Sequence, residues 1–225
     1  MIPRRVHRIW LGPHRMPAEY VANAVAWEAL GYPVHDWCEA ELKALPLSDA
    51  TRAVLDDIEH HGAVAGGGIE STAVWVQQAD VYAYELVRHV GGIVANTDIE
   101  PLQDLGPLVD GLDAFVVGEN EHFLSNALMG AHAGHPFFDA VSDALPVSFR
   151  ENRWAPMNQS TGPHHLTACW SGWASKVPRV GPCPFMHDFD DEGRRTAEEI
   201  RADCHKRGLY VLHSWGHRHP ERLAR

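Results

Sequence analysis

The clearest pattern along the chain is helical. Trp75, Ala79, Tyr82, Leu86 and Val90 recur at steps of four, three, four and four, which places them on one buried stripe. The spacing predicts a helix over 71–90, closed by Gly91. Upstream, Arg5–Leu11 reads as a strand ended by Gly12-Pro13. A helix follows over 17–30, with Pro17 in its first turn and Gly31 past its end. Val34–Trp37 is a second short strand, and weaker helices are expected near 39–45 and 49–60. Gly66-Gly67-Gly68 is expected as a loop.

After the long helix, Ile93-Val94-Ala95 is a short apolar strand that runs straight into Asn96-Thr97-Asp98-Ile99-Glu100. Polar residues at the carboxyl end of a buried strand occupy the place where open α/β sheets bind ligands. Strands are expected near 113–118 and 126–131 and a helix over 135–145, and 146–163 reads as a long loop. Helical character returns over 164–173 and 194–207, and strands are expected at 177–180 and 209–212. Strands and helices alternate, so the fold class is α/β. No internal repeat is visible.

Composition narrows the functional classes. The chain has 225 residues, 45% of them hydrophobic, enough for one sizeable domain. Its formal net charge of -11 disfavours nucleic acid as a partner, because a surface of that sign repels phosphates. The four cysteines, Cys38, Cys169, Cys183 and Cys204, form no CxxC pair, so neither a disulfide framework nor a zinc knuckle is indicated. No run approaches the roughly 20 apolar residues of a membrane-spanning helix, and the N-terminus lacks a signal-type apolar stretch. A cytoplasmic protein without an integral membrane segment is the expectation.

Three constellations carry candidate chemistry. Asn96-Thr97-Asp98, with Glu100 after it, offers oxygen ligands of the kind a hard divalent cation takes, and two side chains at i and i+2 on an extended turn can reach one ion; the same segment also suits an Asx-type turn. Asp80 lies one step off the apolar stripe of the long helix, where a solvated helix charge is the simpler alternative. His213-Ser214-Trp215 follows a strand and groups an imidazole, a hydroxyl and an indole N–H. Two other features carry less. Asp188-Phe189-Asp190 is a literal DxD, but it precedes a polar helix and reads as an acidic helix start. The 16 histidines form no HExxH pair, which weighs against a metal hydrolase.

Taken in order, several segments resemble family thirty-two of the glycosyltransferases, which has a DXD sugar-binding motif and includes capsular polysaccharide and mannosyl transferases. Ile2-Pro3-Arg4-Arg5-Val6-His7-Arg8-Ile9-Trp10-Leu11-Gly12, with Met16-Pro17, is similar to the family's opening. Ala79–Leu86 resembles its "SDxxRYxxL" helix, and Gly91–Leu102 its "GGIYLDTDVEPL" segment. Thr161-Gly162-Pro163 and His213-Ser214-Trp215 match later segments.

The resemblance implies a GT-A-type, Rossmann-like nucleotide-sugar-binding fold with a mixed, mainly parallel central sheet. Residues 1–110 would form its nucleotide-binding half, and 111–225 its acceptor half and closing segment. It also implies a nucleotide-sugar donor, a glycan, protein or lipid acceptor, a Mn²⁺ or Mg²⁺ ion, and transfer with retention of configuration. Residue by residue, Trp10 would stack on the base. Asp98, Asn96 and His213 would hold the metal, and Ser214 and Trp215 would close over the diphosphate. Asp80 would hold sugar hydroxyls, and Asn126 would face the anomeric centre. Two positions depart from the family pattern: Asn96 replaces the first DXD aspartate, and Ala83 replaces the helix arginine. Both departures point to the rival reading, a catalytically weakened nucleotide-sugar or glycan binder. Tyr82 and Arg88 are the neighbouring side chains that would have to compensate for the arginine.

Overall fold

A computed structural model describes residues 1–65, 68–182 and 195–214. Its centre is a six-stranded sheet in the order β2-β1-β5-β8-β7-β9. The strands are β1 (Val6–Ile9), β2 (Val34–Trp37), β5 (Gly92–Ala95), β7 (Ala114–Gly118), β8 (Leu124–Ala131) and β9 (Arg179–Pro182). β1 pairs in parallel with β2 and β5, and β7 in parallel with β9. Only β8 runs against its neighbours β5 and β7, so the sheet is mixed and mainly parallel. β5, β7 and β8 are buried along their whole length, as strands covered on both faces must be.

Helices α1 (Ala18–Ala29), α2 (Glu39–Lys43), α3 (Asp49–His61) and α4 (Ser71–His89) form where the periodicity places them. Pro17 is the N-cap of α1 rather than its first helical residue. Gly91 closes α4 at φ +71°, a conformation glycine adopts without a Cβ penalty. A Cβ there would lie 2.5 Å from the backbone nitrogen of Ala133, so the close approach of two chain segments also requires glycine. A two-stranded hairpin, β3 (Ala63–Ala65) with β4 (Gly68–Glu70), precedes α4 where the sequence indicated only a loop.

The region from 135 to 163 departs most from the sequence expectation. α6 (Pro136–Glu151) runs straight through Pro146, and α7 (Met157–Ser160) follows it. Proline inside a helix removes one hydrogen bond and normally stops it. Here Phe137, Val141, Leu145 and Phe149 continue a buried stripe across the proline, all at 4% exposure or less. The burial outweighs the broken rung. α5 (Gly106–Val109), α8 (Pro163–Trp170) and α9 (Ala197–Lys206) complete the helices among the described residues.

Beyond β5 the chain turns into β6 (Ile99–Pro101), which pairs antiparallel with β10 (Val211–His213). The register sets His213 opposite Ile99 and Leu212 opposite Glu100. This small ladder brings the C-terminal strand back to the carboxyl edge of the main sheet.

Candidate active site

β1 and β5 are adjacent and parallel, so their carboxyl ends open on the same edge of the sheet. β8 runs the other way, which puts its first residues on that edge too. Trp10, the 96–98 segment and Asn126 therefore arrive together from three different strands.

Asn96–Ile99 is a turn closed by the Ile99 amide donating to the Asn96 carbonyl at 3.0 Å. The Asn96 amide in turn donates to the Ala127 carbonyl at 2.8 Å, one residue beyond Asn126. Asn23 of α1 holds the turn from the other side, donating through Nδ2 to the Thr97 carbonyl at 3.0 Å. With its backbone tied down, the turn presents Asp98 inward, 6% exposed, while Asn96 stays exposed at the rim.

His213, 4% exposed, lies directly on Asp98: Nε2 is 3.1 Å from Oδ1, although 115 residues separate the two. Ser214 adds a second link, its amide donating to the Asp98 carbonyl at 3.0 Å and its hydroxyl at 3.3 Å. Tyr20 of α1 borders the same cluster. Burial, reinforced by the negative charges of Asp98 and Glu19, raises its hydroxyl pKa, while a hydrogen bond with Ser214 opposes that rise. The phenol therefore stays protonated and available as a donor. Trp10 stands edge-on to Tyr20, with ring centroids 5.9 Å apart, and its indole N–H donates to the His14 carbonyl at 2.7 Å. That bond fixes the indole at the end of β1 and leaves the ring partly open to solvent.

Under this platform lies Arg8, fully buried in β1. It forks onto Asp36 at 2.7 and 2.8 Å and donates to the Tyr20 carbonyl at 2.5 Å. A paired guanidinium can be buried because its donors are satisfied. Arg8 thus ties β1, β2 and α1 together beneath Trp10 and Tyr20. Neither Tyr20, Asn23 nor Arg8 was singled out by sequence. An arginine in the middle of a buried strand was the one available signal, since such a charge must be paired.

Asp80 forms a second cluster. Its carboxylate accepts from Asn126 Nδ2 at 2.7 Å and from the Thr161 hydroxyl at 3.0 Å. Dense protein around it pushes the carboxyl up to about 7, even though both hydrogen bonds favour the ionised form. Tyr84 steadies Thr161 from behind, its hydroxyl donating to the Thr161 carbonyl at 2.8 Å. Asp80, Asn126 and Thr161, far apart in sequence, are therefore one hydrogen-bonded unit beside the turn that carries Asp98.

Some expectations are corrected. Glu100 does not join Asp98: it sits on β6 and receives Arg201 of α9 through Nε at 2.7 and 2.8 Å. Strand alternation turns it away from the turn. Arg88 does not stand in for the missing arginine at Ala83, because Asp139 and Asp143 hold it, each at 3.0 Å. Tyr82 faces a different cleft, across α4 from Asp80. Trp215 and the Asp188–Asp190 pair lie outside the described residues. No group of three or more His, Cys, Asp or Glu side chains is placed to hold a metal ion among the described residues. Two protein donors, the Asp98 carboxylate and the His213 imidazole, do converge, with the Asn96 amide on the same turn.

The architecture is that of the GT-A-type, Rossmann-like glycosyltransferase fold. A solved structure titled "PaToxG Glycosyltransferase" superposes with a TM-score of 0.58 at 12% identity, over 77% of this chain and 70% of that one. In sequence, 106 residues are 35% identical to "Inositol phosphoceramide mannosyltransferase 3" of Schizosaccharomyces pombe, covering 46% of this chain and 29% of that protein. Another 31% identity extends over 98 residues of "Mannosyl phosphorylinositol ceramide synthase CSH1" of Saccharomyces cerevisiae, covering 42% of this chain and 26% of that protein. The chain thus matches less than a third of the length of these curated relatives. No family model matches it. No helix among the described residues is long and apolar enough to cross a membrane.

Proposed function

We propose that this chain is a glycosyltransferase that moves a hexosyl unit from a nucleotide-sugar to a hydroxyl acceptor, with retention of configuration. The observation that carries the reading is the Asp98–His213–Ser214 cluster at the carboxyl edge of β5 in a fold of GT-A type. Similarity over part of the chain to proteins named for mannosyl transfer supports a hexosyl donor, and their names make a polyol-bearing lipid one acceptor to test.

In this reading the donor's base lies on Trp10, and its diphosphate lies between Asp98 and the Ser214 hydroxyl. Asp98, His213 and Asn96 would hold a divalent ion. A carboxylate, an amide oxygen and an imidazole together suit Mn²⁺ better than Mg²⁺, which prefers oxygen alone. Such an ion, when bound, would neutralise charge on the departing diphosphate. Tyr20 supplies a buried phenolic donor beside the same group. Asp80, oriented by Asn126 and Thr161, accepts hydrogen bonds from the donor sugar's hydroxyls. The acceptor hydroxyl attacks the anomeric carbon on the face the diphosphate leaves. Its proton passes to a leaving-group oxygen, so no separate protein base is required.

Ala83 favours a second reading, a donor-binding protein with weak or no turnover. It is 4% exposed, and the nearby Arg88 is engaged with α6. A thermal-shift screen of UDP- and GDP-sugars, with and without Mn²⁺, tests the shared part of both readings. A ligand of the native state raises the melting temperature by mass action. Release of nucleoside diphosphate then separates transferase from binder.

A further inference from the structure

A cleft of about 250 Å³ opens between α2, α3 and α4. Leu47 and Leu55 form its apolar floor, and Glu39, Lys43, Arg52, Asp56 and Glu59 stand around it. Gln78 and Tyr82 of α4 close one side. Three carboxylates face two cations there, and one carboxylate and one cation, Glu39 and Lys43, are already paired at 2.6 Å.

The decisive group is Tyr82. Its side chain is 4% exposed, and its hydroxyl, which makes no hydrogen bond among the described residues, opens on the cleft. It lines the cleft together with Glu39, Lys43, Arg52 and Glu59, the residues of the polar mouth. The side chains of Asp56, Glu59 and Gln78 likewise make no hydrogen bond or ion pair among the described residues. A phenolic hydroxyl, an amide and two carboxylates, arranged over an aliphatic floor, match the two surfaces of a sugar ring. The hydroxyls of such a ring need donors and acceptors at its edge, and its C–H face needs an apolar support. The volume falls just short of the ~300–1,000 Å³ of clefts for larger ligands, which suits one six-membered ring. The excess of carboxylate opposes a phosphorylated ring.

We propose that this cleft is a carbohydrate subsite that holds one neutral saccharide ring of an extended acceptor. Gln78 and Tyr82 each lie two residues from Asp80, roughly half a turn around the helix. The ring therefore rests across α4 from the reacting centre, about a helix diameter (~10 Å) away. It is a remote ring of the acceptor and not the one that receives the sugar. Its assignment to an acceptor rests on the glycosyl-transfer reading; the saccharide binding does not.

The test is titration of α-mannotriose into the wild-type chain and into Tyr82→Phe and Glu59→Gln, with mannose 6-phosphate as the charged comparison. Tyr82→Phe keeps the buried ring, and Glu59→Gln changes only an exposed side chain, so both variants should fold. Each is expected to weaken mannotriose binding about five- to tenfold, the scale of one lost hydrogen bond. Nucleoside diphosphate affinity should be unchanged, and mannose 6-phosphate should bind more weakly than mannotriose in all three proteins. Absence of mannotriose binding, or affinity equal in wild type and both variants, overturns the subsite. Mannotriose binding that responds to both variants in a chain that takes no nucleotide-sugar upholds the subsite and overturns the transferase reading instead.

Discussion

Replacing Asp80 with asparagine should make the protein more stable at alkaline pH and remove part of its pH dependence. The carboxyl sits up at about 7 against an ordinary 3.8, because burial disfavours its charge. A raised carboxyl pKa means that the folded state holds the proton more tightly than the unfolded state. Its favourable contribution is full below about pH 4 and is lost as pH rises through about 7. A rise of that size corresponds to about 4 kcal/mol, an upper limit for the penalty at pH 8. Asparagine has the same shape and no charge. Its oxygen accepts from Asn126, and its amide donates to Thr161, whose hydroxyl turns to the Met157 carbonyl at 3.4 Å. Urea unfolding of wild type and Asp80→Asn at pH 5 and pH 8 measures the difference. The lead of Asp80→Asn over wild type should widen by about 2–3 kcal/mol between pH 5 and pH 8. A gap that stays constant between the two pH values, or a less stable Asp80→Asn at pH 8, refutes the reasoning.

Other outcomes follow from the site and its frame. Asp98→Ala should weaken nucleoside diphosphate binding in the presence of Mn²⁺ far more than Asn96→Ala, because Asp98 alone brings a charge and lies inside the cluster; calorimetric titration decides it. Trp10→Ala should cost nucleoside and nucleotide-sugar alike about 1–3 kcal/mol, the scale of base–aromatic stacking, and unchanged nucleoside affinity would leave the indole a packing role. Gly12→Ala should destabilise the fold by about 1–3 kcal/mol in a denaturant melt, since φ is +97° and a Cβ would lie 2.8 Å from the Trp75 ring.

Local periodicity made most elements legible. The short apolar run Ile93–Ala95 and the Trp75–Val90 stripe marked β5 and α4, Gly12-Pro13 marked the end of β1, and Gly31 and Gly91 marked two helix ends. It did not reveal α6 beyond Pro146, because a proline is a strong local stop and only the buried Phe149 on the far side overrides it. Nor did it show the short β3–β4 hairpin or β6, whose three residues are too few to display a period. The site was harder still. Asp98 and His213 meet only through the β6–β10 ladder, a non-local pairing that no window of sequence contains. Their association was expected from a resemblance and from the need for extra donors around a diphosphate. Glu100 shows the limit of spacing arguments: two residues from Asp98 along the chain, it faces another helix and another partner. Asp80, Asn126 and Thr161 were each noted separately, but their union depends on α4, β8 and the turn before α8 converging in three dimensions.

The central claim is that the Asp98–His213 cluster holds the diphosphate of a nucleotide-sugar while its sugar is transferred. The most direct measurement is nucleoside diphosphate release from a panel of UDP- and GDP-sugars with Mn²⁺, comparing wild type with Asp98→Ala. The account predicts release by wild type that depends on the divalent ion and falls by about a hundredfold or more in the variant, the scale of losing one preorganised electrostatic contact. Release at the same rate in Asp98→Ala, or no release from any of these donors by the wild-type chain, would contradict it.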